Sequence, residues 1–117
     1  MKSVLIIGIA ISACLATANS AAANMPQLAR ELNCTACHAI DYRMVGPAWK
    51  DIAARYKGVT VFNYRGKDYP LVDGLVMKVS MGGSGNWGAA PMPANDPSGS
   101  KKMEIAQLVR FMLNLVK

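Results

Sequence analysis

The stretch Cys34-Thr35-Ala36-Cys37-His38 gathers two of the chain's three thiols and its single imidazole within five residues. Two thiols three positions apart, followed at once by an imidazole, form the CxxCH pattern, which in an exported protein marks covalent attachment of a c-type haem. The spacing has a physical reason. On a helical turn, positions i and i+3 share a face, so both sulfurs reach the two vinyl groups along one porphyrin edge. The imidazole that follows is then held under the ring centre, where a nitrogen meets iron. Three other readings of these residues are weaker. A dithiol exchange pair belongs in a βαβ setting, and the flanks here read as helical. A zinc site needs four nitrogen or sulfur ligands, whereas the chain beyond its leader offers Cys34, Cys37 and His38 alone. A plain disulfide closes a loop too small to stabilise much and leaves the adjoining His unexplained.

His38 is the only His of the 117 residues, so a second imidazole cannot complete the iron, and the search moves to the eight Met. Met1 belongs to the leader and Met25 lies beside its end. Met77 and Met81 fall on a helical segment, and Met103 and Met112 read as core of the last helix. The serious candidates are Met44 and Met92, and Met44, closer to His38 in sequence, reads better as packing along a haem edge. Met92 stands in Pro91-Met92-Pro93, where proline fixes φ on both sides and disfavours helical backbone at Met92 itself. A thioether binds iron weakly, and a stiff extended segment reduces the entropy lost in holding it there. Met92 is therefore the predicted sixth ligand.

Helices must position these groups. Asn24 is placed to cap a helix starting near Pro26, with Leu28 and Leu32 on one face. Pro47 starts a second, which carries Trp49, Ile52, Ala53 and Tyr56. A third runs from about Leu71 to Met81 with Leu71, Leu75, Val79, Val72 and Val76 turned inward, and Gly82-Gly83 releases the chain into a loop. After Pro97, Ser98 or Ser100 caps a fourth helix, whose Ile105, Leu108, Val109, Met112 and Leu115 recur at steps of three and four.

With these pieces in order, the chain resembles a small bacterial class I cytochrome c of the five-fifty-one/five-fifty-two group. The matching strings are CTACHAID, MVGPAWKDIAARY, NWG and PMPAND, followed by an amphipathic last helix. The resemblance implies an all-α fold of about four helices wrapped on one haem c, attached through Cys34 and Cys37 with His38 and Met92 as axial ligands. It implies that the Pro47 carbonyl accepts the other ring N–H of His38, which fixes tautomer and ligand strength. By the same resemblance Trp87 donates its indole N–H to a haem propionate, Lys78 sits where a basic side chain pairs with that propionate, and Asn95 hydrogen-bonds near the Met92 sulfur. The last helix is expected to cross the first, with Phe111 against Ala29 and Leu28. Gly58 to Pro70 departs from the pattern. Its β-formers and aromatics predict a short irregular hairpin over 59–69, with alternation through Val59, Val61 and Asn63, and with Tyr64 and Tyr69 covering a haem edge.

The N-terminus reads as an export leader: one basic residue, an uncharged run from Val4 to Ala18, then small residues with a cut after Ala23. The run is shorter than the roughly 20 residues of a spanning helix. The alternative is a lipid anchor at Cys14. Residues 24–117 then form one domain with 12 basic against 7 acidic side chains. At 52% hydrophobic and 17% charged the chain is no disordered polyelectrolyte. A domain of this size buries only about 60–65% of its unfolded surface and gains from a cofactor in its core.

Six ligands leave no open position on iron, so the expectation is a one-electron carrier and not a catalyst, working monomeric in the periplasm between respiratory redox proteins. The partners would be a reductase, an oxidase or a peroxidase with acidic docking faces, steered by Lys50, Arg55, Lys57, Lys67, Lys78, Lys101 and Lys102. No nucleic acid and no stable membrane insertion are expected. The competing class is a small haem peroxidase or ligand-binding protein in which Met92 dissociates; a dithiol protein without haem is a third.

Overall fold

The computed structural model describes residues 8–14 and 23–117; residues 1–7 and 15–22 of the expected leader lie outside the described residues. Among the described residues no helix is long and apolar enough to cross a membrane. The elements run α1 (Gln27–Glu31), a 3-10 turn (Cys34–Ala36), α2 (Trp49–Arg55), β1 (Val61–Tyr64), β2 (Lys67–Pro70), α3 (Leu71–Met81), β3 (Gly83–Gly85), β4 (Gly88–Met92) and α4 (Lys102–Leu113).

The amphipathic helices behave as their periodicity requires. Helix α4 buries Ile105, Leu108, Val109 and Met112. That face packs on α3 and α2 and touches α1, whose Ala29 is fully buried. Leu115 falls just past α4 and is half-buried. Phe111 meets Trp49 of α2 edge-on, centroids 6.1 Å apart, and belongs to the same core as Ala29 and Leu28 of α1. Met103, expected in the core, is 81% exposed because it lies on the outer side of the first turn.

The expected side-chain caps do not form at Asn24, Ser98 or Ser100. Backbone and a buried carboxylate replace them. Trp49 N–H and Lys50 N–H, at the start of α2, donate to the carbonyls of Ala39 and Ile40 at 2.9 and 3.1 Å. At α4 the Asp96 carboxylate accepts from Lys101 N–H at 2.9 Å and from the Ser100 hydroxyl at 3.3 Å. Long-range carbonyls thus satisfy helix-start donors of α2, and at α4 the Asp96 carboxylate takes the place expected of the Ser98 or Ser100 hydroxyl.

The hairpin expected over 59–69 is present as β1 and β2, paired from Val61↔Pro70 to Tyr64↔Lys67. Arg65 and Gly66 make the turn, both with positive φ, 50° and 80°. The alternation through Val59, Val61 and Asn63 marks its outer face: both valines are exposed, while Phe62 and Tyr64 are buried. Phe62 lies over α3 at Gly74 and stacks edge-on with Tyr56 at 5.6 Å. The larger aromatic surface wins the core, since burying a ring removes more apolar area from water than burying a valine. The segment after Gly82 is a second hairpin, β3 and β4, where the sequence shows only glycines and a loop.

Candidate functional site

The two cysteines stand on the 3-10 turn, entered through Asn33 in the left-handed region (φ 59°). A 3-10 turn has three residues per turn, so positions i and i+3 eclipse one another more closely than on an α-helix. Cys37 N–H and His38 N–H both return to the Cys34 carbonyl, at 3.2 and 2.9 Å, which closes the turn and delivers His38 directly after it. Burial pushes the Cys34 thiol above its ordinary value. A dithiol exchange centre needs the reverse, a stabilised thiolate.

His38 is oriented from two directions. Its Nδ1–H donates to the Pro47 carbonyl at 2.7 Å, which leaves Nε2 as the basic nitrogen. The ring also lies against the backbone at Gly46, where a Cβ would stand 2.5 Å from Cε1 and 2.9 Å from Nδ1. Gly46 N–H in turn donates to the Cys37 carbonyl at 2.9 Å. The loop therefore fits the imidazole only if position 46 has no side chain. Gly46→Ala should displace the ring, break the bond to Pro47 and cost about 1–3 kcal/mol. Thermal unfolding of the purified holoprotein checks this, and a melting temperature equal to that of the parent would refute it.

Met92 closes the second hairpin, opposite Gly83. Gly82, with φ 73°, brings α3 to its end against this strand, so close that a Cβ there would collide with the Met92 carbonyl. Asn95 secures the far side: its backbone N–H reaches Val79 O at 3.2 Å, and its side-chain amide donates to Val79 O at 3.3 Å and Pro93 O at 3.1 Å. The Tyr64 hydroxyl adds a 2.8 Å bond to the Gly82 carbonyl. Proline stiffness and these tertiary bonds together hold the Pro91-Met92-Pro93 segment extended.

All eight residues singled out for the site, Cys34, Cys37, His38, Pro47, Lys78, Trp87, Met92 and Asn95, line one cleft between α2, α3, α4 and the second hairpin. It holds about 1250 Å³ of atom-free space, part of it open to solvent, and its walls include Ile52, Phe62, Leu75 and Leu108. Apolar walls, two thiols three positions apart on one turn, an imidazole with Nε2 as its basic nitrogen and a thioether are a donor set that suits a covalently held porphyrin iron. Tyr64 and Tyr69, expected over a haem edge, do not line the cleft; Tyr56 and Phe62 do. Met44, expected at that edge, is 41% exposed on the loop after the motif and does not line it either.

Trp87 is half-buried at the cleft with the Arg55 guanidinium 3.5 Å above its ring centroid. Arg43 also lines the cleft, and its Nη2 donates to the Trp87 carbonyl at 3.5 Å. Lys78 is half-buried; desolvation, with the charge of Arg65 adding to it, lowers its ammonium pKa. Arg43 and the stacking of Arg55 on Trp87 escaped the sequence reading, because no local pattern signals a contact across 30 or more residues.

Comparison with known proteins agrees with this geometry. A family profile described as Cytochrome c matches residues 22–116. The chain is 42% identical over 88 residues to Cytochrome c-551 of Allochromatium vinosum, covering 75% of this chain and 82% of that protein. It is 39% identical over 83 residues to Cytochrome c-552 of Hydrogenobacter thermophilus, covering 71% and 76%. Among solved structures, that of wild-type Nitrosomonas europaea cytochrome c552 superposes with a TM-score of 0.62 at 35% identity, over 76% of this chain and 96% of that one. A profile spanning the whole described domain, and relatives that share most of their length with it, leave one assignment for a CxxCH turn opening onto an apolar cleft: the chain belongs to the cytochrome c family, electron-transfer proteins and not catalysts, with one c-type haem held covalently through a pair of cysteines.

Proposed function

We propose that this protein is an exported one-electron carrier of the periplasm, cleaved near Ala23 so that Cys14 leaves with the leader, and that it works as a monomer between respiratory redox partners. In this reading Cys34 and Cys37 form the thioethers and His38 and Met92 are the axial ligands. The observation that carries it is the convergence of these four residues on one apolar cleft. Bound there, haem supplies a reversible one-electron change at iron. The chain's own residues do the rest. Pro47 holds the His38 ring by its Nδ1–H, which makes Nε2 a stronger donor. Asn95 and the close approach at Gly82 hold the thioether segment in place. Ile52, Val79 and Leu108 exclude water, and low polarity favours the less charged, reduced state. Lys78 and the Trp87 indole face the cleft where propionates would lie, and an anion beside Lys78 would offset the burial of its ammonium.

Mass spectrometry of the exported protein tests processing and attachment together: the expected mass is that of residues 24–117 plus one haem, without lipid. The oxidised protein should show low-spin iron with a Met–iron charge-transfer band and should not bind carbon monoxide or peroxide in its native state. High-spin iron or ready ligand binding would instead indicate an enzyme or sensor.

The basic residues support steering toward an acidic docking face, and their placement refines that expectation. Lys50 is paired with Asp41, and Lys57 bonds the Lys117 carbonyl at 2.7 Å, whereas Arg43 and Lys78 stand at the cleft itself. Electron transfer to the natural partner should slow several-fold as ionic strength rises from about 0.02 to 0.5 M, because the Debye length shrinks well below the separation of the approaching charges. Rates that stay flat over that range would remove the steering role.

A further inference from the structure

Two guanidiniums from distant segments converge on the tip of the hairpin that carries Met92. Arg55, the last residue of α2, lies over the Trp87 ring at 3.5 Å, and its Nη1 donates to the Asn86 carbonyl. Arg43, from the loop after the haem motif, donates through Nη2 to the Trp87 carbonyl at 3.5 Å. Among the described residues the one ion pair joins Lys50 to Asp41, so neither arginine is engaged by a carboxylate.

This hairpin needs an outside anchor. Its strands read Gly-Ser-Gly and Gly-Ala-Ala-Pro-Met, with Gly83 opposite Met92, Gly85 opposite Gly88 and a register shift between. Such small side chains give it almost no cross-strand packing, and a lone two-stranded hairpin is marginal in water. Its base is tied to α3 by Asn95 and by the close approach at Gly82. At its tip, Arg43 and Arg55 are the side chains that reach the backbone from outside.

We propose that Arg55 is a positioning residue: it fastens the tip of the Met92 hairpin to α2 and so sets how readily Met92 gives way to a competing ligand. The proposal rests on Met92 being the thioether ligand. Opening the hairpin requires that the guanidinium leave a half-buried indole face and a carbonyl together, and those contacts amount to roughly a tenfold bias toward the closed hairpin.

The test uses the oxidised holoprotein, titrated with imidazole while the Met–iron charge-transfer band is followed. Arg55→Gln should keep the band before imidazole is added and bind imidazole about tenfold more tightly. Arg55→Lys keeps a cation but not the planar fork that makes both contacts, and should fall between. Lys57→Gln, two residues on but bonded to Lys117, should match the parent. An Arg55→Gln affinity within twofold of the parent, or an equal gain in Lys57→Gln, would overturn the proposal. Failure of the ligand reading looks different: the parent would lack the band at the outset and Met92→Ala would leave the spectrum unchanged, which removes both proposals.

Discussion

Cys34→Ala combined with Cys37→Ala should yield a chain with no covalent haem and no stable tertiary structure at 25 °C. The cleft runs between α2, α3, α4 and the second hairpin, so it occupies the space where a domain without a cofactor would have its core. Half-buried Leu32, Ile52, Val79 and Met92 turn toward it. The cavity proper amounts to about 140 Å³, and left as a void it would cost about 3 kcal/mol at about 24 cal/mol per Å³. That is a large share of the whole stability of a small domain, about 5–15 kcal/mol, before the lost contacts with the haem are counted. Collapse is no easy escape, because Pro91, Pro93 and the 2.7 Å bond from His38 to Pro47 stiffen two of the walls. Haem staining after denaturing electrophoresis reports attachment, and circular dichroism through a thermal ramp reports folding. A cooperative melt from the haem-free variant, near the temperature of the parent, would show that the polypeptide core suffices by itself.

Met92→Ala should leave the fold and the thioethers intact and change the iron. Its backbone stays fixed by strand pairing at Gly83 and by the flanking prolines, so the substitution removes the thioether without loosening the segment. The charge-transfer band should vanish, the oxidised spectrum should turn high-spin, and added carbon monoxide should bind the reduced form. The reduction potential should fall by on the order of 0.1 V or more, within the roughly 0.8 V that axial ligation spans. An unchanged spectrum and potential would refute Met92 as the ligand. Met44, the other candidate weighed from the sequence, is a poor substitute, being exposed and outside the cleft lining.

Much of the site was legible because its chemistry is local. The order Cys-x-x-Cys-His, the prolines around Met92 and the apolar steps of α3 and α4 each act within a few residues, where covalent geometry and helical period leave few choices. The Leu71–Met81 helix falls where its periodicity places it. The reading falls short where two segments distant in sequence compete for one place. Val59 and Val61 alternate correctly for a strand, and Phe62 and Tyr64 take the inner face because α3 and Tyr56 offer them a larger apolar surface. Asn24, Ser98 and Ser100 are plausible caps by type, but carbonyls of Ala39 and Ile40 at α2 and the Asp96 carboxylate at α4 show how a folded chain meets helix-start donors by other means.

The amino-acid order by itself determined the prosthetic group, the cysteine pair that holds it and the four helices, since each rests on spacing along one short stretch. Only the tertiary structure decided the second hairpin, the inner face of the first, the fit of His38 onto Gly46, and the placing of Arg55 over the Trp87 ring and of Arg43 on its carbonyl. Those contacts join residues up to 44 positions apart. Their energies depend on burial and approach created by the whole fold, and no periodicity in the chain encodes them.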